Sequence, residues 1–220
     1  MTVNSGTVQV WADVRCPWCW IGHRRMAEAQ KVLLGSNRPV PEVVRRAFLL
    51  EPKGPPVSGI TVREAALGDW GMSRSDWEVS GDRIESAGRA EGLEIRMDTA
   101  RIFDSRTVHR LLKLAAVTDD VGVESAWETI FDLHFRRNAD LGQAAVLVAA
   151  GVEIGLDQAA VEHMLAGAEF VSEVDADLRE AQRLGVRSVP TVLAADTMLS
   201  GSRSVEDLVT VLAAATEVTA

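Results

Sequence analysis

The chain has 220 residues, of which 47% are hydrophobic and 25% are charged, a composition typical of soluble globular proteins. A chain of this length buries enough apolar surface to fold without a disulfide or metal crosslink. Its formal net charge of −9 argues against nucleic acid as a partner and weakly against anionic membranes, because both attract clustered Lys and Arg.

The first residues lack the features of an export signal. Residues 1–6 are polar, with neither a basic start nor an apolar core. The apolar run over residues 144–150 is too short to cross a bilayer. We therefore expect a cytoplasmic protein that does not contact the membrane, in a compartment that keeps thiols reduced.

The first fifty residues predict a strand, a helix and a second strand. Residues 7–11 alternate apolar and polar side chains and favour a strand. Pro17 stands at a typical first helical position, and apolar spacing continues the helix to about Leu34. Residues 43–50 predict the second strand. This order is typical of a parallel crossover.

A linker rich in Gly and Pro, residues 53–59, separates this part from a long helical stretch. Helical spacing dominates the next hundred residues or so, with one short segment at 93–95 that could be extended. The predicted helices cover residues 61–68, 73–91, 105–117, 124–137, 141–154 and 159–166.

Strand patterns return near the C-terminus. In chain order we predict a helix over 170–184 ended by Gly185, a strand over 191–195, a partner strand at 198–199 and a last helix capped by Ser204. The fold class is therefore α/β, with an α/β unit split by a helical block. The predicted domains are residues 7–52 with 168–216, and a helical insertion over 60–167.

Two cysteines three positions apart, Cys16 and Cys19, are the central chemical signal. Cys16 directly precedes the predicted helix, where unpaired backbone N–H groups and the helix dipole favour a thiolate. Cys19 lies one turn later and can form a disulfide with Cys16. Pro17 stiffens the turn, Trp18 offers apolar surface to a substrate, and Arg15 can add positive charge beside the thiolate.

The pair has two other interpretations. The cysteines could be small core residues, although the spacing and the strand–helix context argue against coincidence. They could also bind zinc together with His23, which shares their helix face. A structural zinc site needs four ligands and the chain has no further Cys, so we predict no metal site. His23 on its own is more often a solvated helix residue.

Pro190 is the second signal, because a proline at the start of a strand cannot donate to the ladder. Only about 5–6% of X–Pro bonds in folded proteins are cis, so general frequencies favour a trans bond at this position.

Four segments together resemble a known family. Residues 13–22, Asp-Val-Arg-Cys-Pro-Trp-Cys-Trp-Ile-Gly, are similar to the opening of the DsbA-like oxidoreductases of the thioredoxin superfamily, in the FrnE-like branch. Residues 48–52 resemble that branch's second strand, with a Leu replacing an aromatic residue. His109-Arg110-Leu111 resembles a helical element of the branch. Residues 185–191 resemble its Val-Pro loop, with Ser188 in place of a glycine.

This resemblance, which covers about residues 8–213, implies a thioredoxin fold with a large all-helical insertion. It implies that Pro190 is cis and faces the dithiol, with Cys16 as nucleophile and Cys19 as resolving thiol. It also implies that an extended substrate pairs with the backbone at Val189 and Pro190. Pro17, Trp18 and His109 are further candidates for substrate contact, although a packed helix histidine is an equally good interpretation of His109.

Three functions remain open. The first is a thiol–disulfide oxidoreductase or isomerase that acts on protein or small-molecule thiols and disulfides, without a bound cofactor and with glutathione as a candidate redox partner. The second is a glutathione-dependent isomerase or transferase for a small aromatic substrate, a related branch in which a serine usually replaces the first cysteine. The third is a non-catalytic protein-binding module. Sequence does not decide the direction of exchange or the oligomeric state.

Overall fold

The computed structural model describes residues 7–55 and 57–217, which form two compact units. The first comprises the described residues of Met1–Phe48 and Asp177–Ala220, and the second is Leu49–Ala176. The division falls within one helix, Val171–Leu184. The predicted boundaries, as limits of independently folding domains, stay a prediction.

A four-stranded mixed sheet organises the first unit. Its strands are β1 (Thr7–Ala12), β2 (Glu42–Ala47), β3 (Thr191–Ala194) and β4 (Thr197–Ser200). They lie in the order β2-β1-β3-β4. β1 and β2 are parallel, as the strand–helix–strand pattern predicted, and β3 is antiparallel to both β1 and β4.

Two helices complete this unit, α1 (Pro17–Gly35) between β1 and β2, and α9 (Val205–Glu217) after β4. They pack against each other, and α9 also contacts β1 and β3. Apolar residues from the sheet and from one face of each helix form the core, because their spacing matches the period of each element. Its buried members are Val8, Val10, Met26, Ala29, Leu33, Val192, Ala194, Leu208, Val211, Leu212, Ala213 and Ala215.

The second unit is helical. Its helices are α2 (Val62–Leu67), α3 (Arg74–Ala90), α4 (Ser105–Val117), α5 (Val123–Phe135), α6 (Ala144–Ile154) and α7 (Gln158–Ala166), together with the start of α8 (Val171–Leu184). Side-chain caps begin several of them. Thr61 and Glu64 form a capping box on α2, and Ser73 and Asp104 each accept a backbone N–H in α3 and α4. None of the described helices is long and apolar enough to span a membrane.

Two predicted boundaries were wrong by three residues. β2 ends at Ala47 rather than at residue 50, because its partner β1 ends at Ala12 and Phe48 makes only one further bond, from its N–H to the Ala12 carbonyl, 3.0 Å away. α6 begins at Ala144 rather than at Leu141, since the Asp140 carboxylate accepts the Gly142 N–H and forms a turn.

Residues 93–95, which the sequence suggested as a short extended segment, do not join a strand. The N–H of Leu93 donates to the Gly88 carbonyl at the end of α3, 2.9 Å away. Leu93 and Ile95 are buried, so this segment follows the helix end and packs its side chains without joining a ladder.

One buried carboxylate, that of Asp177 in α8, holds the end of β2. Its Oδ1 lies 3.0 Å from Nη1 of Arg46, and its Oδ2 accepts the Ala47 N–H at 2.8 Å. The Asp177 side chain is 2% exposed and that of Arg46 is 34% exposed. The Asp177 carbonyl oxygen accepts the indole N–H of Trp11, 3.3 Å away. A backbone N–H and a charge therefore depend on one carboxylate shielded from water.

Asp177→Ala should lower the free energy of unfolding by about 3 kcal/mol, since it leaves the buried Ala47 N–H without its acceptor and removes the ion pair with Arg46. Asp175→Ala is the matched control two positions earlier. Asp175 pairs with Arg106 in the second unit, but the two side chains are 40% and 29% exposed. Exposed pairs contribute about 1 kcal/mol or less. Chemical denaturation of both variants is the measurement, and equal losses would contradict this assignment.

Candidate active site

A tight turn carries the chain from β1 into α1 and places the first cysteine. Asp13 Oδ1 accepts the Arg15 N–H at 3.1 Å, and the Asp13 carbonyl accepts the Cys16 N–H at 3.0 Å. Cys16 is the N-cap of α1, with extended backbone, and Pro17 follows as the first helical residue. The first turn of α1 contains no acidic residue and no side-chain cap. The positive end of the helix dipole is therefore directed at the Cys16 position.

Cys16 and Cys19 are both free thiols. The N–H of Cys19 donates to the Cys16 carbonyl at 2.9 Å, so the two residues share the first turn. Cys16 is 6% exposed and Cys19 is 1% exposed. Burial raises the pKa of the Cys19 thiol well above its ordinary value, and the hydrogen bond and charge of Cys16 raise it further. Cys19 therefore stays protonated at neutral pH.

The loop before β3 brings Val189 and Pro190 to this dithiol. The thiol of Cys16 donates to the Val189 carbonyl oxygen, which lies 3.7 Å from Sγ. The Val189–Pro190 bond is cis, as the family resemblance implied. Both residues are buried. The Gly201 N–H donates to the Pro190 carbonyl at 2.8 Å and ties the loop to the end of β4.

Three further residues of the motif surround the pair. Pro17 is buried in the first turn, while Trp18 and Arg15 are half-buried. Their predicted contacts with a substrate, and the proposed effect of the Arg15 charge, stay predictions.

His23 differs from the solvated helix residue expected from the sequence. It is only 5% exposed and is therefore not a solvated helix residue. Its Nδ1 lies 2.9 Å from Nη2 of Arg45 on β2, which is 8% exposed. Because a guanidinium can only donate, Nδ1 of His23 accepts this bond and the imidazole carries its proton on Nε2. Within residues 7–55 and 57–217, no three His, Cys, Asp or Glu side chains are grouped as metal ligands would be.

His109 belongs to the second unit, on α4, and its role as a substrate contact stays a prediction. It is 1% exposed, and its ring centroid lies 5.6 Å from that of Trp127 on α5. The neighbouring Arg110 donates to the carbonyl oxygens of Glu169 at 2.7 Å and Gly167 at 2.8 Å, and also to that of Met164. Arg110 therefore satisfies carbonyl groups at and beyond the end of α7.

Sequence reasoning missed Asp13 as a site residue. It is fully buried, and its negative charge contributes to the raised pKa of the Cys19 thiol, while a hydrogen bond with its backbone acts in the opposite direction. The available signal was its place two residues before Arg15, since an Asp side chain often accepts the N–H two positions ahead in a turn. Burial of that carboxylate depends on tertiary packing and was not predictable from spacing.

Comparison with known proteins confirms the predicted thioredoxin fold with its helical insertion. A family model described as a DSBA-like thioredoxin domain matches residues 7–213. The crystal structure of a probable DsbA oxidoreductase from Streptomyces coelicolor is 29% identical, with a TM-score of 0.86, over 95% of this chain and 89% of that one. No curated protein sequence matches significantly.

More distant structures share the fold. The cytosolic disulfide reductase DsbM from Pseudomonas aeruginosa, solved with GSH, is 20% identical, with a TM-score of 0.60 and 92% of each chain covered. A 2-hydroxychromene-2-carboxylate isomerase is 16% identical, with a TM-score of 0.65, over 97% of this chain and 96% of that one. Since the family model spans nearly the whole sequence, this chain belongs to the DSBA-like thioredoxin domain family.

Proposed function

We propose that the protein is a thiol–disulfide oxidoreductase of the FrnE-like branch, which exchanges disulfides through Cys16 and Cys19. One observation carries the proposal: Cys16 caps the N-terminus of α1, one turn from Cys19, with its sulfur beside the carbonyl of Val189. Membership of the DSBA-like family supports the same chemistry.

The first step is attack by Cys16. Its thiolate displaces one sulfur of a substrate disulfide, and the released sulfur takes up a proton as a thiol. A mixed disulfide then joins Cys16 to the other substrate sulfur. Cys16 attacks first because it is at the helix end, whereas the buried Cys19 thiol keeps its proton.

The second step is resolution by Cys19. After losing its proton, the Cys19 thiolate attacks the Cys16 sulfur of the mixed disulfide and forms the Cys16–Cys19 disulfide. The second substrate thiol leaves, so the substrate gains the two electrons that the dithiol loses. The reverse sequence oxidises a substrate dithiol, and the reduction potential sets the net direction.

We propose glutathione as the small-molecule redox partner and the cytoplasm as the location. The GSH complex of the fold neighbour DsbM supports the first of these at the level of a shared fold. Protein thiols and disulfides are the substrate class that fits a backbone edge beside Cys16.

The alternative is a glutathione-dependent isomerase acting on a small aromatic molecule. The fold neighbour named as an isomerase favours it, at 16% identity. Retention of both cysteines favours dithiol exchange instead. Turnover that requires glutathione and survives Cys19→Ser would select the isomerase. The third function, a non-catalytic protein-binding module, would be selected if the protein still protects unfolded chains when both cysteines are replaced by serine.

Cys16→Ser should abolish disulfide reductase activity, because the hydroxyl is a far weaker nucleophile than the thiolate. Cys19→Ser should retain the first step and accumulate a mixed disulfide at Cys16, detected by mass spectrometry without reductant. Reductase activity at the wild-type level in Cys16→Ser would rule the mechanism out.

The dithiol should show a reversible two-electron transition when the protein is equilibrated in glutathione redox buffers and its free thiols are alkylated. A midpoint of about −270 mV would indicate a reductant, and one of about −120 mV a strong oxidant. If no reversible internal disulfide forms across the series, the redox function is wrong.

The raised pKa of Cys19 also predicts a pH dependence of stability. The folded state keeps a proton that the unfolded chain loses above about pH 8.5, so this contribution is complete below that pH and declines above it. Comparing Cys16→Ala with Cys16→Ala/Cys19→Ala isolates one thiol and prevents disulfide formation. Their difference in unfolding free energy should fall by about 1.4 kcal/mol per pH unit above pH 8.5. Parallel stability curves between about pH 8 and pH 10 would contradict the assignment.

A further inference from the structure

Gly22 lies in α1, one turn after Cys19, directly beneath the ring of Pro190. A Cβ added to Gly22 would lie 3.0 Å from Pro190 Cγ and 3.6 Å from Pro190 Cβ. The first distance is tighter than ordinary van der Waals contact, so a side chain here would push the proline ring away by a few tenths of an ångström. Glycine admits the observed approach of this loop to the helix without that displacement.

The backbone of Gly22 does not itself require glycine, since it is helical and has no positive φ. Glycine inside a helix destabilises it relative to alanine, because more conformational freedom is lost on folding. The backbone angles therefore do not explain a glycine at position 22. The close approach of Pro190 explains it, because that ring occupies the space a side chain would need.

The other side of the Pro190 loop is held from the same helix. Nη1 of Arg25, one turn beyond Gly22, donates to the carbonyl oxygens of Ser202 and Arg203, each 3.3 Å away, and to Oγ of Ser202 at 3.4 Å. The preceding residue, Gly201, donates its N–H to the Pro190 carbonyl. Arg25 is thus connected to Pro190 through Ser202 and its neighbour Gly201.

These contacts connect α1 to the Pro190 loop at two points, at Gly22 and through Arg25. Gly22 sets how near Pro190 comes, and Arg25 holds the turn that binds the Pro190 carbonyl. Val189, joined to Pro190, has its carbonyl oxygen 3.7 Å from the Cys16 sulfur. A shift of the proline ring therefore changes the distance between Val189 and the reacting sulfur.

We infer that Gly22 is a positioning residue that sets the spacing between Cys16 and the Val189–Pro190 backbone. A substrate bonded to Cys16 lies against that backbone, so this spacing governs how well an extended peptide disulfide reaches the sulfur. The inference rests on the proposed function for its effect on turnover. The expected change in the reactivity of Cys16 rests only on the packing of Gly22, Pro190 and Val189.

The test compares Gly22→Ala with Gly35→Ala, a matched control in the same helix, where an added Cβ meets no atom within 4 Å. The ratio of kcat/KM for a short peptide disulfide to kcat/KM for 2-hydroxyethyl disulfide should fall about tenfold in Gly22→Ala, since misplacement by 1 Å can cost about 10²-fold. Gly35→Ala should keep the wild-type ratio. Equal ratios in the two variants would overturn the inference.

A second readout does not depend on turnover. Alkylation of Cys16 by iodoacetamide should be faster in Gly22→Ala than in Gly35→Ala, because moving the Val189 carbonyl away removes the negative end of its dipole from the thiolate. If the wild type exchanges neither disulfide, the proposed function fails, and equal alkylation rates would still refute the role of Gly22. Faster alkylation without exchange would leave the spacing role supported.

Arg25→Met serves if Gly22→Ala does not fold, because it releases the turn without adding atoms beneath Pro190. Arg24→Met is its control on the adjacent, exposed arginine. The substrate ratio should fall in Arg25→Met and not in Arg24→Met. A normal ratio in Arg25→Met would show that Arg25 does not help to position the Pro190 loop and would overturn that part of the inference.

Discussion

The antiparallel register of β1 and β3 places Trp11 opposite Thr191, and the site depends on this pairing. Trp11 is near the end of β1, and Thr191 is the first residue of β3. Because the strands run in opposite directions, the turn leading to Cys16 and the loop ending at Pro190 emerge at the same end of the sheet. Two segments 173 residues apart thereby come within contact distance. A slip of one residue would direct their side chains to the opposite face.

Buried polar groups maintain the same end of the sheet. Asp177 binds the final N–H of β2, and Arg45 on that strand bonds to His23 on α1. Asp13 organises the turn between β1 and α1. Each group is shielded from water, where an unsatisfied polar atom is costly and a satisfied one specifies a single arrangement. These interactions hold β1, β2 and α1 in the positions that the dithiol requires.

The fold alone does not set the chemical function, which depends on the side chains that the fold positions. Proteins of the same fold include one named as a disulfide reductase and one named as an isomerase, so the backbone does not select between these reactions. Here the two thiols differ in environment, since Cys16 occupies the N-cap position of α1 and Cys19 is buried with a raised pKa. That difference fits the proposed order of attack, in which Cys16 reacts first and Cys19 keeps its proton until the second step.

Local chemistry determined the parts of this protein that the sequence predicts well. Pro17 begins α1, Gly185 follows α8 with a positive φ of 73°, and the Ser204 hydroxyl accepts the Asp207 N–H at the start of α9. Each depends on a few neighbouring residues, and the same holds for the spacing of Cys16 and Cys19. The contact of Pro190 with the dithiol was predicted from the family resemblance, because the spacing of residues alone does not indicate which distant segments meet.

Only the tertiary structure decided the burial of His23 and Asp13, the end of β2 at Ala47, and the contact of Gly22 with Pro190. For three of these the partner is distant in sequence: Arg45 for His23, β1 for the end of β2, and a loop 168 positions away for Gly22. A helical period shows which residues share a face but not what covers that face. Burial and reactivity follow from that cover, and it exists only once the strands have paired and the helix has packed on them.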